Sequence, residues 1–259
     1  MDLSHAMDFT GRAVLVTGGT RNLGAATARA FLAAGADVMV CGRGSPAAPP
    51  SAGGRSAAFR AADLRDPAAA AALVAATAER FGRLDVLVNN AGGSPDADAA
   101  TVSPRFVEKV VALNLLAPFF TAQAAYRVMR EQPDGGSVIN IGSVSAHSPQ
   151  PGTAAYSAAK AGLLGLTRAL ALEWAPRVRV NHITVGPVRT ENAAALYGDD
   201  DGAAVAGIVP LGRLAEPDDV ARACLWLASS HSSYVSGADL AVHGGGEIPA
   251  RQVVRRNSL

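Results

Sequence analysis

The sequence predicts an α/β fold in which a doubly wound parallel sheet of about seven strands carries helices on both faces. Short apolar, β-branched runs alternate with longer stretches of helical periodicity, and strands that read as continuous apolar runs are typical of parallel sheets buried on both sides. With 49% hydrophobic and 17% charged residues, the 259-residue chain has a globular composition. No internal repeat or linker divides it, so residues 1–259 are expected to form one domain.

Capping signals mark several of the predicted helices. Asp66 and Pro67 open the second helix as N-cap and first-turn residue, and Glu216 or a neighbour caps the helix that Pro217 begins. The strands are predicted at residues 13–17, 37–41, 57–62, 86–89, 137–141, 178–183 and 239–243. The helices are predicted at residues 23–34, from 67 onward, and at 104–130, 153–174 and 217–228, with a loop at 44–54.

Charge and cysteine content exclude several classes of protein. The 23 basic residues nearly balance the 22 acidic ones, so the net charge of +1 does not indicate nucleic acid or an anionic membrane as partner. Cys41 and Cys224 make no disulfide framework, which is typical of an intracellular protein. The longest apolar helical candidate, residues 110–126, is too short for a bilayer, and the first residues lack the order of a signal peptide. We therefore expect a soluble, cytoplasmic protein, and no metal site is predicted.

Lysine is nearly absent from the chain. Only Lys109 and Lys160 are lysine, and the other 21 basic residues are arginine. Such a preference for arginine over lysine commonly reflects overall composition and carries no function by itself. With only two lysines in the chain, chance alone would rarely place a lysine in an active site.

A glycine-rich turn follows the first strand. Residues Gly18 to Gly24 join that strand to the first helix, where backbone N–H groups and a helix N-terminus can bind a pyrophosphate. Asn22 lies within this turn, and asparagine tolerates a positive φ better than other non-glycine residues. The alternative is an ordinary tight turn between strand and helix. Its position after the first strand of an α/β chain favours a dinucleotide site.

The residues after the second strand indicate which dinucleotide is bound. Proteins of this fold that use NAD place an acid there for the ribose 2′-hydroxyl, whereas an arginine accommodates the 2′-phosphate of NADP. No carboxylate ends the predicted strand, and Arg43 follows closely. Arg21, in the glycine-rich turn, supplies a second guanidinium. Both arginines have an alternative interpretation as solvated surface residues, but the pattern favours NADP(H) over NAD(H).

Tyr156 and Lys160 lie four residues apart on a predicted helix, so both project from one face. A phenol has a pKa of ~10 and is a poor base at neutral pH, and a cation about 4–6 Å away favours the phenolate. A positively charged nicotinamide acts in the same direction. Such pairs also arise by chance on solvated helix faces, so the spacing alone leaves that alternative open.

Together these motifs resemble the short-chain dehydrogenase/reductase family, whose fold is Rossmann-like. Gly18 and Gly24 match the first and last glycines of its TGxxxGxG pattern, with Asn22 at the middle glycine, and residues 89–92 match its NNAG signature. The resemblance covers about residues 10–246. Four residues match the catalytic tetrad of the family in order, with the serine 13 residues before the tyrosine, namely Asn114, Ser143, Tyr156 and Lys160.

The resemblance implies a role for each member of this tetrad. Tyr156 is the general acid/base, and Ser143 bonds the substrate oxygen. Lys160 lowers the pKa of the tyrosine and bonds the ribose. Asn114 holds a water that connects the lysine to solvent. The resemblance therefore implies hydride transfer between a nicotinamide and a carbonyl or alcohol.

The resemblance also implies which residues contact the cofactor. Asp63 follows the third strand, where the family has an aspartate near the adenine. The loop after the sixth strand contacts the nicotinamide, and Val185 replaces the usual proline there. The implied cofactor contacts are Gly18, Thr20, Arg21, Asn22, Leu23, Gly24, Arg43, Asp63, Leu64, Asn90, Ala91, Gly92, Tyr156, Lys160, Gly186, Val188 and Thr190.

These expectations define an NADP(H)-dependent oxidoreductase, a ketoreductase or secondary alcohol dehydrogenase acting on a small carbonyl or alcohol substrate. The alternative is a non-catalytic cofactor-binding regulatory or structural subunit of the same fold, which has no chemical need for Ser, Tyr and Lys together. A dedicated enoyl reductase is disfavoured because those enzymes generally separate Tyr and Lys more widely.

The remaining expectations concern the periphery of the site. The family implies a mobile substrate lid at about residues 190–216. His147, between Ser143 and Tyr156, is interpreted as a loop residue rather than a second acid. The basic tail 247–259 is expected either to be disordered or to reach a neighbouring subunit. The family implies a homotetramer, with a homodimer as the alternative.

Overall fold

A parallel β-sheet forms the centre of the protein in the computed structural model, which describes residues 7–191, 197, 198, 200 and 202–246. The strands are β1 (Ala13–Val16), β2 (Asp37–Gly42), β3 (Ser51–Ala52), β4 (Arg55–Ser56), β5 (Ala58–Ala61), β6 (Val86–Asn89), β7 (Gly136–Ile141), β8 (Val178–Val185) and β9 (Asp239–Val242). Seven of these strands form the sheet, whereas β3 and β4 pair with each other as a separate antiparallel hairpin within or just after the predicted loop 44–54.

The order of strands in the large sheet is β5-β2-β1-β6-β7-β8-β9, and every neighbouring pair is parallel. Helices connect these strands and cover both faces of the sheet, so the predicted doubly wound fold with seven strands is confirmed. The helices are α1 (Asn22–Ala33), α2 (Pro67–Phe81), α3 (Pro104–Val111), α4 (Ala117–Met129), α5 (Ala154–Glu173), α6 (Ala203–Ile208) and α7 (Pro217–Ala228).

Two apolar cores lie on opposite faces of the sheet. Val14 and Val16 belong to the core that α1 and α7 cover. Leu15, between them, belongs to the core that α2, α4 and α5 cover. Because neighbouring side chains of a strand point to opposite faces, a strand buried on both sides needs apolar residues at every position. This burial on both faces explains the continuous apolar runs in the sequence.

The predicted capping signals are present at both helices. Asp66 Oδ1 accepts a hydrogen bond from the backbone N–H of Ala68 at 2.9 Å, and Pro67 occupies the first turn of α2. Asp219 Oδ2 accepts from the backbone N–H of Glu216 at 2.9 Å, which fixes the start of α7. Both bonds satisfy N–H groups that a helix start leaves without intrahelical partners.

The helical stretches predicted at residues 104–130 form two α-helices joined by a turn of different geometry. A π-helical turn at Ala112–Leu116 separates α3 from α4, and Pro118 lies in the first turn of α4. Such single π turns inside helices occur frequently at functional sites. This one contains Asn114, the asparagine of the predicted tetrad.

No helix in the described part of the chain is both long enough and apolar enough to cross a membrane.

Candidate active site

The carboxyl ends of β1 and β6 border a crevice at which the strand order reverses. The chain moves outward from β1 through β2 to β5, and from β6 it moves the other way through β7 and β8 to β9. Crevices of this kind are where open parallel sheets bind ligands. Most of the predicted site residues lie in the segments that follow these strands.

Thr17 and Asn90 join the ends of β1 and β6. Thr17 Oγ1 accepts hydrogen bonds from the backbone N–H groups of Asn90 and Ala91, at 2.9 and 3.0 Å. Asn90 Nδ2 donates to the carbonyls of Thr17, at 2.9 Å, and Gly18, at 3.2 Å. The glycine-rich turn is therefore tied to the segment that carries Gly92. The sequence alone did not indicate this role for Thr17, although the residue stands at the first position of the TGxxxGxG pattern.

The glycine-rich turn forms a cradle that side chains would fill. Gly18 has a φ of 62°, and an added Cβ on Gly24 would overlap the Gly18 carbonyl oxygen and lie 2.5 Å from Asn90 Nδ2. Asn22 has a φ of 47°, which confirms that asparagine maintains the turn at this position. Arg21 precedes α1 and makes no side-chain cap. The N–H groups at the start of α1 thus have no side-chain acceptor, and the cationic Arg21 lies next to them. Both features suit the binding of a pyrophosphate.

Replacement of Gly24 with Ala is expected to weaken cofactor binding by at least about tenfold. The added Cβ would collide with the backbone carbonyl of Gly18, which cannot move aside as a flexible side chain could. Isothermal titration with NADPH measures this loss. Gly165→Ala on α5 is the matched control, since an added Cβ there meets nothing within 4 Å. The control should bind normally and gain up to about 1 kcal/mol in the free energy of unfolding. Equal NADPH affinity in both variants would contradict the cradle assignment.

The edge of the crevice beyond β2 is rich in charge. Arg43 is exposed immediately after β2, and Arg21 is exposed across the turn. Asp63 is bound by Arg65, whose Nε lies 2.9 Å from Asp63 Oδ1. This hydrogen bond, aided by the nearby charge of Arg43, lowers the pKa of Asp63 to about 2. The sequence alone did not indicate this role for Arg65. Leu64 is buried in the core, where its side chain supports the strand end.

Tyr156 and Ser143 meet at the carboxyl end of β7. Tyr156 lies in the first turn of α5, and its hydroxyl is close enough to Ser143 for the serine to lower the pKa of the phenol. Burial raises the pKa of Tyr156 more than Ser143 lowers it. The phenol is therefore protonated at neutral pH.

Lys160 lies one helical turn after Tyr156 in a fully enclosed position. Its Nζ donates to the carbonyl oxygen of Ile141 at 2.7 Å and lies 5.7 Å from the centre of the Tyr156 ring. Burial lowers the pKa of Lys160 to about 8. Burial is the largest influence on the pKa of Tyr156, and the ammonium donates to a backbone carbonyl; that Lys160 lowers the pKa of the tyrosine during the reaction stays a prediction.

Asn114 holds the backbone next to this lysine. Its Nδ2 donates to the carbonyls of Gly93 and Val110, at 3.0 and 2.9 Å, and its Oδ1 accepts from the N–H of Gly93 at 2.8 Å. An added Cβ on Gly92 would lie 2.8 Å from Asn114 Oδ1 and 3.3 Å from Lys160 Nζ. The structure therefore brings the NNAG segment, Asn114 and Lys160 together. That Asn114 holds a water stays a prediction.

The loop after β8 is held by β9 and by the predicted lid. Gly186 N–H donates to the carbonyl of Val242 at 3.1 Å, and Val188 N–H donates to Tyr197 Oη at 3.2 Å. Tyr197, in the predicted lid, is close enough to Tyr156 to affect its pKa. No sequence signal distinguished this tyrosine from any other lid residue.

The predicted lid approaches the glycine-rich turn. Glu191 N–H donates to Asn22 Oδ1 at 3.2 Å, so Thr190, half-buried just before it, lies near the start of α1. Residues 192–196, 199 and 201 of the lid, and the tail 247–259, lie outside the described residues.

A cavity of about 190 Å³ opens beside Tyr156. Ser94 and Gly152 line it together with apolar side chains, and none of the lining residues is charged. The lining is completed by Ala97, Ala99, Val102, Phe106, Val107, Ala154, Ala155 and Tyr156. Such a cavity is smaller than a typical ligand site of about 300–1,000 Å³, so it can take one substituent of a substrate rather than a whole molecule.

Comparison with known proteins identifies the family. A family model described as enoyl-(acyl carrier protein) reductase matches residues 18–247. A solved short-chain type dehydrogenase/reductase from Mycobacterium marinum is 31% identical, with a TM-score of 0.83 over 93% of this chain and 97% of that one. The chain belongs to the short-chain dehydrogenase/reductase family.

Curated members of the short-chain dehydrogenase/reductase family agree with this assignment over nearly their whole length. An uncharacterised oxidoreductase of Mycobacterium tuberculosis is 39% identical over 92% of this chain and 93% of the relative. The D-threitol dehydrogenase of Mycolicibacterium smegmatis is 36% identical over 94% and 96%. The predicted enzyme class is thereby confirmed: this short-chain dehydrogenase/reductase is an NAD(P)-dependent oxidoreductase that acts on alcohols or ketones.

Proposed function

We propose that this enzyme is an NADP(H)-dependent ketoreductase, or secondary alcohol dehydrogenase, in which Tyr156 is the general acid/base. The observation that carries the proposal is the arrangement that places the Tyr156 hydroxyl beside Ser143 and Lys160 one helical turn after Tyr156. Fixed geometry between a proton donor and a second hydroxyl is what carbonyl reduction requires.

Proton handling follows from the protonation states of the site. In reduction, Ser143 Oγ donates a hydrogen bond to the carbonyl oxygen of the substrate, and Tyr156 Oη transfers its proton to that oxygen. Burial keeps Tyr156 protonated before the reaction. Lys160, with a pKa of about 8, is mostly protonated at neutral pH and stabilises the phenolate left behind. In oxidation the same groups work in reverse.

The cofactor-binding residues proposed from the sequence fit a dinucleotide. The nicotinamide supplies or accepts the hydride when it is bound. The cradle at Gly18 and Gly24 and the uncapped start of α1 suit its pyrophosphate. The segment from Asn90 to Gly92 and the loop at Gly186 lie on the two sides of the crevice, where they orient the reactive ring.

The preference for NADP(H) over NAD(H) is proposed from the charges beyond β2. β2 ends at Gly42 without a carboxylate, and Arg43 follows at once. Arg21 lies exposed at the start of α1. Two guanidinium groups, with no acid at the end of β2, suit a 2′-phosphate better than a 2′-hydroxyl.

Replacement of Arg43 with Ala is expected to raise the KM for NADPH by about tenfold and that for NADH by less than twofold, because one charge-assisted phosphate contact is lost. Steady-state kinetics with both cofactors measure the ratio. Arg60→Ala is the control, since Arg60 is an exposed arginine on β5, and it should change neither value. Equal effects of Arg43→Ala on both cofactors would contradict the phosphate contact.

A screen of ketones and secondary alcohols, followed by NADPH and NADH absorbance in both directions, tests the proposed function itself. The cavity beside Tyr156 favours substrates with an uncharged, apolar substituent next to the carbonyl. Cofactor binding without turnover on any substrate would support the non-catalytic subunit instead.

The oligomeric state and the location of the enzyme stay predictions. We expect a homotetramer, with a homodimer as the alternative, and a cytoplasmic location. Size-exclusion chromatography with light scattering tests the oligomeric state.

A further inference from the structure

A hydrogen-bonded network outside the tetrad connects the last two strands of the sheet with the loop after Ser143. Asp239, the first residue of β9, is the register partner of His182 on β8. Asp239 Oδ1 accepts hydrogen bonds from His182 Nδ1 and Thr184 Oγ1, both at 2.7 Å. Asp239 Oδ2 accepts from His147 Nε2 at 2.9 Å. One carboxylate therefore binds three side chains. Because an ionised carboxylate can only accept hydrogen bonds, the proton lies on Nδ1 in His182 and on Nε2 in His147.

The ring of His182 supports the backbone just before Ser143. His182 is fully buried, and an added Cβ on Gly142 would overlap its Cε1 and Nε2 atoms. The ring edge thus lies directly against Gly142, whose N–H donates to the carbonyl of Ile183 at 2.8 Å. Because the bond to Asp239 fixes the ring orientation, it also fixes the surface on which Gly142 rests.

His147 holds the other end of the same turn. A 3₁₀ turn runs over Val144–Ala146, with Ser143 as its N-cap, and Ser143 Oγ accepts from the N–H of Ser145 at 3.2 Å. The N–H of His147 closes the turn on the carbonyl of Val144 at 2.9 Å. The side chain of His147 then reaches Asp239. The turn that carries Ser143 is therefore attached to one carboxylate through a histidine at each end.

Maintaining this network carries a cost. Nε2 of His182 is buried and has no hydrogen-bond partner among the described residues, and a buried polar atom without a partner is destabilising. Burial lowers the pKa of His182 more than Asp239 raises it, so the ring is neutral and its Nε2 is a bare acceptor. An apolar residue at position 182 would avoid this cost but could not bind Asp239.

We propose that Asp239, through His182 and His147, positions Ser143 for hydrogen bonding to Tyr156 and the substrate oxygen. These three are positioning residues, because their side-chain hydrogen bonds join them to one another and to Thr184, and within the described part of the chain none of these bonds reaches Tyr156 or Lys160. The inference rests on the proposed function, in which Ser143 bonds the substrate. Displacement of a reacting group by about 1 Å can cost about 100-fold in rate. Loss of the network that holds both ends of the Ser143 turn should therefore have a measurable effect on kcat.

The deciding experiment is a double-mutant cycle between His147→Ala and Ser143→Ala in the full-length enzyme. His147 is 45% exposed, so its truncation should leave the protein folded. We expect His147→Ala to lower kcat by about tenfold, with the KM for NADPH within about twofold of wild type. In the Ser143→Ala background, the same truncation should change the residual kcat by less than about twofold. His231→Ala is the control, because His231 is exposed in another 3₁₀ turn, Ser230–Ser232.

Conservative variants at Asp239 supply a second measurement. Asp239→Asn keeps one oxygen for His182 and Thr184, and its amide can donate to His147 if that ring changes tautomer. Its kcat should lie between those of wild type and Asp239→Ala, with circular dichroism unchanged. If Asp239→Ala does not fold, the His147 cycle decides alone.

Each outcome separates this inference from the proposed function. A full kcat in His147→Ala, beside a large loss in Ser143→Ala, overturns the network and leaves the tetrad intact. If His147→Ala lowers kcat by the same factor in the wild-type and the Ser143→Ala backgrounds, its effect is generally structural. That result also overturns the proposed network. Little loss in Ser143→Ala refutes the proposed role of Ser143 and the network with it.

Discussion

Replacement of Tyr156 with Phe is expected to lower kcat by about 10³-fold, within the range of about 10²–10⁴ that general acid–base catalysis contributes. The substitution removes the hydroxyl that donates the proton and that lies beside Ser143. It keeps the aromatic ring that lies 5.7 Å from Lys160 Nζ. The free energy of unfolding should change by only about 1 kcal/mol, because the lost hydroxyl belongs to a half-buried rather than a fully enclosed side chain. Single-turnover rates with saturating NADPH measure the chemical step directly.

The matched control for this variant is Tyr126→Phe. Tyr126 lies on α4, stacked on Trp174 with ring centres 4.5 Å apart, and the hydroxyl plays no part in that stacking. Both variants should bind NADPH with wild-type affinity. Full turnover in Tyr156→Phe would refute its role as general acid, and loss of NADPH binding in the same variant would show a disrupted site instead.

The parts of the site predicted correctly from the sequence are those that local periodicity determines. Tyr156 and Lys160 share a helix face because they are four residues apart. Gly18 and Asn22 adopt positive φ because the turn between β1 and α1 leaves little other choice. The strands were recognisable because a sheet covered on both faces needs unbroken apolar runs.

The parts that were missed depend on contacts between distant segments. Asp239 and His182 are 57 residues apart and become partners only through the register of β8 and β9. Thr17 acquires its role only when β1 lies beside β6. The direction of the pKa shift at Tyr156 depends on how deeply the tyrosine is buried, which the sequence spacing does not encode. The π-helical turn at Asn114 is likewise absent from the pattern, because its residues continue the helical periodicity.

Replacement of Lys160 with Met is expected to separate activity from stability. Met has a similar length and no charge, so the phenolate of Tyr156 loses its stabilising ammonium, and kcat should fall by about 10²-fold or more. The variant also removes a cation that is 3% exposed and that donates a hydrogen bond to the carbonyl of Ile141. Removing a buried charge offsets the loss of that bond, so the melting temperature at pH 7 should stay within a few degrees of wild type.

The pH dependence of stability gives a sharper test of the same lysine. Burial lowers the pKa of Lys160 to about 8, whereas the unfolded chain titrates near the ordinary value of about 10.4. Between these values the unfolded state binds more protons than the folded state, so stability gains up to about 1.4 kcal/mol per pH unit as pH rises. Lys160→Met lacks this gain, and wild type should therefore become more stable relative to the variant between pH 8 and 10. Urea denaturation across that range measures the difference. A difference that stays constant with pH would show that the lysine has an ordinary pKa, and the ammonium would then stay fully charged at every pH where the enzyme works.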